Sequence, residues 1–356
     1  MPRKHSPDDD GRTTNLRQLA ALLGLSQTTV SRALNGFPEV SERTRKRVEA
    51  AAIEHDYRPS SSATALATGR AMAVGHLVPL GDHRMINPHF SDFLSGAGDA
   101  YAEAGYDLLM RTVDPLREGE VMRDLVRRRR VDGLVIHGPR VEEPRIAAVQ
   151  ALAIPFIVHG RTHSPIAPYS FLDVDNEGAL DALATGLIER GHRRIAFVNG
   201  LCEMTFAHDR LAGFRAAHRR AGLRADDRLL RSADMTEPFG HAATRSLLAR
   251  TEPPSAIIYG SSLLALGGLR ALAQTGRAVG SDVSVALYDD DLSFLRGETR
   301  DAPFAGLSSA RSSLVEAGRH TASLLLGLIE RPRDAPRQHV WQPRIVWTDS
   351  VRSPAS

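Results

Sequence analysis

Near the start of the chain, apolar residues recur at helical spacing in three short runs. Leu16, Leu19, Ala20 and Leu23 fall at i, i+3, i+4 and i+7, which is one face of a helix. Asn15 stands at the N-cap position, and Gln18, three residues on, completes a capping box. Gly24 and Leu25 make a tight turn. Ser26 then opens a second helix from Gln27 to Asn35, with Val30, Ala33 and Leu34 inward and Gly36 as its stop. Ser41 caps a third helix, whose Val48, Ala51, Ala52 and His55 face inward. Pro59 ends that run. From Ala71 the pattern changes. An apolar run of strand length, Ala73 to Leu80, precedes an amphipathic helix from His89 to Tyr106. The pair then recurs: DLLMRTV with GEVMRDLVRRRR, VDGLVIHGP with EPRIAAVQ, IPFIVHG, RRIAFVNG, SAIIYG with LLALGGLRALAQTG, and DVSVALYDD. Strands that alternate with helices imply parallel sheets covered on both faces.

The first two helices and their Gly-containing turn form a helix-turn-helix pattern, which sets its second helix in the DNA major groove, N-terminal residues first. Here those residues are Gln27, Thr28, Thr29, Ser31 and Arg32. Gln pairs bidentately with adenine and Arg with guanine. A small soluble bundle that merely exposes these side chains is the alternative.

Charge supports the DNA reading only mildly. The whole formal surplus of +3 sits in residues 1–70, which hold 11 Lys+Arg against 8 Asp+Glu. A basic head on a neutral body suits a module that faces phosphates. At 356 residues, two or three domains are expected. The single cysteine, Cys202, excludes an internal disulfide and suits a reducing compartment. The opening MPRKHSPDDDGRTT is polar and reads as a loose tail rather than a signal peptide, and no run of about 18 apolar residues suggests a membrane span.

Ligands of open α/β sheets bind beyond the carboxyl ends of strands. Asn87, His89 and Phe90 follow the first strand, Asp173 follows SFL, Ser261 and Ser262 follow SAIIYG, and Asp289, Asp290 and Asp291 follow VSVALY. Arg210 opens the helix RLAGFRAAH. Carboxylates accept from adjacent hydroxyls and Arg donates to others, so the set suits a neutral polyhydroxylated ligand. It lacks the cation cluster a phosphate calls for. The run Arg127 to Arg130 reads as the exposed end of a helix, where cations favour the dipole. Trp341 and Trp347 read as packing residues in late strands rather than sugar-stacking platforms.

LRQLAALLGLSQTTVSRALNG, then PEVSERTRKRV, then Tyr57-Arg58-Pro59, resembles the head of the lactose-repressor (LacI/GalR) family, and the similarity continues with gaps to about Val346. The resemblance implies an all-α helix-turn-helix head and a two-lobed, periplasmic-binding-protein-like α/β core. The implied layout is a flexible tail (1–13), the DNA-binding head (14–59), a hinge helix or linker (60–70), an effector-binding and dimerisation domain (71–350) and a short tail (351–356). Within the core, the N-terminal lobe is expected at about 71–184 and 306–333, and the other at about 185–305 and 334–350. Asn35 and Tyr57 join the five helix residues as implied DNA contacts, and Leu66 takes the place of the hinge leucine that wedges into the minor groove. Thr64-Ala65 departs from the family's usual residues before that leucine. Arg210 in RLAGF, Asp289 in YDD and Asp173 in LDVDN match effector-contacting positions. Ser261 stands where Asn is usual, and Ser312 stands near a position often held by Gln.

INPHFSDFL, VHGR and MTFAH are similar to the branch that controls α-glucoside uptake. The implied protein is a cytoplasmic, nucleoid-associated homodimeric repressor. It binds an inverted-repeat operator, is relieved by a sugar in the interlobe cleft, and has no cofactor, no metal and no membrane partner. A regulator using a non-sugar ligand as corepressor is the alternative within the family. A solute-binding protein would need an export signal and no head. An enzyme is disfavoured because no GxxxxGK[ST], GxSxG or HExxH occurs, and His137, His159 and His192 have no metal-ligand spacing.

Overall fold

In a computed structural model, the described residues are 15–57, 69–79, 88–164, 167–295, 304 and 306–354. The N-terminal tail, Leu66 with most of the expected hinge, and Asn87 lie outside them. The chain divides into two compact units. One comprises residues up to Met72 with 129–132, the other 73–128 with 133 onward.

The first unit contains α1 (Leu16–Leu23), α2 (Gln27–Leu34) and α3 (Glu42–Glu54). Each begins as its sequence suggests. The Asn15 carboxamide accepts from Gln18 N–H at 2.9 Å while the Gln18 side chain accepts from Asn15 N–H at 2.8 Å, so the capping box is complete. Ser26 accepts from Thr29 N–H at 3.0 Å, and Ser41 from Thr44 N–H at 3.2 Å. Gly24 closes α1 at φ 62°, a left-handed conformation that glycine adopts without steric cost. Leu19, Ala20, Leu23, Val30, Ala33, Val40, Val48 and Ala52 form one core, with Tyr57 packed at its edge. Arg47 Nη2 donates to Leu23 O at 2.7 Å and so ties α3 to the end of α1.

The second unit is two six-stranded sheets with helices. The first sheet runs β11-β5-β4-β3-β1-β2 and is parallel throughout: β1 (Ala73–Pro79), β2 (Asp107–Val113), β3 (Gly133–His137), β4 (Phe156–His159), β5 (Phe171–Val174) and β11 (Gln338–Trp341). The second runs β12-β10-β9-β8-β6-β7, from β6 (Ile195–Asn199), β7 (Leu230–Ser232), β8 (Ala256–Tyr259), β9 (Ser284–Asp289), β10 (Ser308–Arg311) and β12 (Arg344–Val346). Only its edge strand β12 is antiparallel. Strands such as Gly133–His137 and Ser284–Asp289 are buried at every position, as expected for sheets covered on both faces.

The helices relevant below are α4 (Pro88–Glu103), α5 (Glu118–Arg127), α6 (Pro144–Gln150), α7 (Asn176–Glu189), α8 (Thr205–Arg220), α9 (Glu237–Leu248), α10 (Ser262–Gln274) and α11 (Leu314–Glu330). Helix pairs in this unit approach with almost no space between backbones. A Cβ on Gly96 of α4 would lie 1.8 Å from Val315 O of α11, and one on Gly318 would lie 2.0 Å from Phe93 O.

The observed lobes differ from the sequence expectation at each crossover. Helix α7 packs into the second lobe, where Ala179, Leu180, Leu183 and Leu187 share a core with Ile195, Phe197 and Phe214, so residues 176–184 do not belong to the first lobe. Strand β10 pairs with β9 and also belongs to the second, whereas β11 pairs with β5 and belongs to the first. The physical reason is that strand partners are non-local. Three- and four-residue strands carry no mark of which sheet they will extend. Nor is the C-terminus loose from residue 351. Val351 is buried, and His192 Nε2 and Ser284 Oγ both donate to Arg352 O, at 2.8 and 3.0 Å.

Two expectations about exposed features agree with the structure. Helix α5 ends at Arg127, and Arg127 and Arg128 are exposed and paired with Asp124. Trp347 packs against the second core with the Arg190 guanidinium 4.4 Å from its ring, and Trp341 lies 5.3 Å from His320.

Candidate functional site

Two separate constellations emerge, one in each unit. In the head, Gln27, Thr28, Ser31 and Arg32 lie on one face of α2, opposite the buried Val30 and Ala33. Gln27, Thr28 and Arg32 are exposed, and their side chains make no hydrogen bond among the described residues. The other expected contacts are partly used by the fold. The Thr29 hydroxyl lies 2.8 Å from Ser26 Oγ at the cap, and Asn35 Nδ2 donates to Ser31 O at 2.8 Å. Tyr57 is half-buried against the head core, and that burial pushes its phenol above the usual range. The face therefore presents Gln27 and Thr28 from the first turn of α2 and Arg32 from its last, with no side-chain partner among the described residues.

The second constellation lies where the carboxyl ends of the two sheets meet. Asp289 ends β9 with 4% of its surface exposed, and its carboxylate accepts from Arg311 Nε at 2.8 Å, Asp291 N–H at 3.0 Å and Ser262 Oγ at 3.2 Å. Arg210, in the second turn of α8, is 5% exposed. Its guanidinium lies 3.6 Å over the Tyr288 ring, donates to Asn176 Oδ1 at 2.8 Å, and also donates to Gly260 O. Asp173 sits in β5, 2.8 Å from Arg161 Nε. Burial dominates there and raises its carboxyl to about 6. Asp209 nearby adds to the rise, while Val174 N–H, Arg161 and Arg210 oppose it.

The remaining expected residues are placed as follows. Phe90 is buried near the start of α4, its ring 5.0 Å from that of His137. Ser312 Oγ lies 2.8 Å from the Tyr288 hydroxyl, and its N–H donates to Asp289 O at 3.0 Å. Ser261 is fully buried, and its hydroxyl caps α10 by accepting from Leu264 N–H at 3.3 Å. It shapes the wall through that helix.

Contacts across the seam hold the lobes together on both sides of these residues. His89 Nε2 lies 3.0 Å from Asp290 Oδ2. Burial raises the Asp290 carboxyl, but His89, Arg210 and Ser262 N–H together bring it below its usual range. Asp92 accepts from Ser293 N–H at 2.6 Å and from the Ser293 hydroxyl at 2.5 Å. Thr205 N–H and Oγ1 donate to Pro139 O at 3.1 and 3.0 Å, and Val141 N–H donates to Glu203 O at 3.0 Å. Sequence reasoning missed Arg161, Asn176, Asp209 and Arg311. Arg161 and Asn176 each stand two residues beyond a strand end, in VHGR and LDVDN, and that position was the available signal. Asp209 and Arg311 had none.

Residues 15–60 match the family model for bacterial regulatory proteins of the lacI family, and residues 184–351 match that for a periplasmic binding protein-like domain. The chain is 41% identical over 332 residues to the HTH-type transcriptional regulator AglR of Rhizobium meliloti (strain 1021), covering 93% of this chain and 92% of that one. This chain belongs to the lacI family of bacterial regulatory proteins. The chain is thus a DNA-binding lacI-family regulator and not an enzyme. A solved transcriptional regulator CelR–cellobiose complex is 29% identical, with a TM-score of 0.68, and spans 95% of this chain and 99% of that one. The lac repressor dimer bound to operator and the anti-inducer ONPF shares the fold at 23% identity and a TM-score of 0.76, over 96% of this chain and 100% of that one. Among the described residues, no helix is long and apolar enough to cross a membrane.

Proposed function

We propose that this regulator is a homodimeric repressor of a sugar-utilisation operon and that a sugar of α-glucoside type, bound between the lobes, releases it from an inverted-repeat operator. The observation that carries the reading is the composition of the cleft. Asp173 and Asp289 come from strand ends of different lobes and Arg210 from α8, and they offer acceptors and a donor with no cluster of free cations among the described residues. That chemistry suits vicinal hydroxyls rather than phosphate. The CelR–cellobiose complex supports a disaccharide ligand, and the resemblance carried by INPHFSDFL, VHGR and MTFAH supports the α-glucoside class. The free Gln27, Thr28 and Arg32 supply base-edge readout, and a twofold dimer calls for an operator with two inverted half-sites. Leu66, outside the described residues, takes the role of a central wedge in this reading.

The test has two stages. A thermal-shift screen of mono- and disaccharides finds the ligand, because a compound that binds only the folded state raises Tm. Operator affinity is then measured with and without that sugar. The expected outcome is weaker DNA binding with sugar. Arg210→Ala should bind operator like the parent, which also reports that it folds, yet ignore sugar at the parent's working concentration. If no sugar shifts Tm or operator affinity, the sugar reading fails. If the sugar tightens operator binding, the ligand is a corepressor.

A further inference from the structure

His163, His208 and Asp209 converge on one point at the seam of the lobes. His163 lies in the segment after β4, in the first lobe, while His208 and Asp209 are consecutive residues of α8, in the second. His163 Nε2 is 2.6 Å and His208 Nδ1 3.2 Å from the same oxygen, Asp209 Oδ1. The ligand-type atoms of the three residues all lie within 4.8 Å of one another. The two imidazoles are 5.6 Å apart, centroid to centroid, and tilted by 60°, so neither ring covers the other.

We propose that His163, His208 and Asp209 form a binding site for a divalent cation of the zinc class, which clasps one lobe to the other. Two imidazole nitrogens and a carboxylate oxygen are a donor set that such borderline cations take, leaving a fourth tetrahedral position to water. With metal–ligand bonds of about 2.0–2.2 Å, tetrahedral ligand atoms stand roughly 3.3 Å apart. The His208–Asp209 separation already has that value, and His163 must retreat by roughly 0.7 Å to share the ion. Exposure suits entry and retention: the two imidazole side chains are 44% and 49% exposed, whereas the Asp209 carboxylate is only 4% exposed. Arg210, the next residue, directs its guanidinium to Asn176 and Gly260, so it does not occupy the triad. The Asp209 charge also contributes to the raised pKa of Asp173, so a cation at the triad would ease the crowding of two buried carboxylates. With one ligand from the first lobe and two from the second, the ion favours the interlobe arrangement seen here. This cluster escaped sequence reading because His163 is far along the chain from the consecutive His208 and Asp209, and the three show no ligand spacing.

The experiment is a calorimetric titration of Zn2+ into tag-free, chelator-stripped, full-length protein without sugar, alongside His163→Gln and His208→Gln. The expected result is one saturable ion per protomer in the parent and at least a tenfold loss of affinity in each variant. Melting curves in chelator should match the parent, because both imidazoles are half-exposed, and if one variant fails to fold the other carries the comparison. Histidines elsewhere, including His5 and His83, would bind Zn2+ equally in parent and variants. An absence of saturable binding, or binding that both variants leave unchanged, overturns the proposal. Neither result depends on which sugar the cleft takes.

Discussion

Arg32 is exposed on α2 and makes no side-chain hydrogen bond or ion pair among the described residues, so its truncation breaks no specific contact there. Its effect is therefore readable as recognition alone. Arg32→Ala should cost on the order of 1–3 kcal/mol on the best operator and change base preference at one position of each half-site. A change at a phosphate-contacting arginine would weaken all sequences alike and reduce the salt slope. A binding-selection experiment decides between these, and an unchanged preference in Arg32→Ala would count against this face as the reader. Buried histidines of the first lobe give a second residue-scale prediction. His76 Nδ1 lies 2.9 Å from His137 Nε2, and His76 Nε2 lies 3.1 Å from the Tyr101 hydroxyl, while His159 is half-buried and stacks on Phe93 at 4.3 Å. Burial lowers His76 to about 3, His159 to about 4, and His137 well below the usual value, with His76, His159 and Arg145 adding to the last. Between pH 6.5 and about 4 the unfolded chain therefore holds protons that the folded chain refuses, and stability falls as pH falls, by up to about 1.4 kcal/mol per pH unit for each group. Asp173 acts in the opposite sense: with its folded pKa raised to about 6, it favours the folded state as pH falls towards about 4. Glu118, which burial also raises, acts in the same sense as Asp173, and the three histidines outweigh the two carboxyls to leave net acid destabilisation. His159→Phe orphans no partner and keeps the stacking, so its denaturation midpoint should decline less steeply between pH 6.5 and 5. An acid limb identical to the parent's would show that His159 does not contribute.

At the scale of elements, the helix pairs explain why glycine recurs inside otherwise good helices. Gly96 and Gly318 let the backbones of α4 and α11 touch, and any Cβ on Gly96 would sit 1.8 Å from Val315 O. A methyl there cannot be absorbed by rotating a side chain, because the obstacle is backbone. Gly96→Ala should destabilise the core by about 1–3 kcal/mol through overpacking, against a gain in helix propensity of roughly 1 kcal/mol at most. Urea unfolding measures the balance, and a neutral or stabilising result would mean that the two helices can separate at little cost. The same elements show what the sequence could and could not convey. The caps Asn15, Ser26 and Ser41 are local signals, and all three helices begin where they indicate. The alternating strand and helix runs likewise announced the α/β core. The lobe assignment of α7, β10 and β11 depends on which distant strand each meets, and their few residues do not encode it locally. The cleft was legible to the extent that strand ends were: Asp173 and Asp289 lie at strand ends, with Arg210 stacked on Tyr288 beside Asp289, whereas the Ser261 hydroxyl is a buried helix cap. Arg311 and Asp209 were invisible because their importance comes only from the partner brought to them by the fold.

For the whole molecule, the proposed function makes the seam between the lobes the place where ligand binding becomes a conformational preference. Asp92 of the first lobe accepts two hydrogen bonds from Ser293 of the second, and His89 meets Asp290 beside them. These contacts join the two lobes in the arrangement seen here, so a sugar bound between the lobes as proposed and this pair of contacts, the clasp, would reinforce one another. Asp92→Asn keeps the shape of the side chain but removes its charge and replaces one accepting oxygen with an amide donor. The loss expected is on the order of 1–2 kcal/mol, since hydrogen bonds to a charged group are among the stronger ones. Sugar affinity of the free protein should therefore drop roughly tenfold, by the conversion of about 1.4 kcal/mol per factor of ten, while operator affinity without sugar stays at the parent level or rises. Linkage adds a stricter requirement. The factor by which operator DNA weakens sugar binding must equal the factor by which sugar weakens operator binding, in parent and variant alike. Titrating the sugar into free and operator-saturated protein, and operator with and without sugar, measures all four affinities. If Asp92→Asn binds the sugar as tightly as the parent, the clasp is absent from the ligand-bound state, and closure across this seam is not what carries the signal to the head.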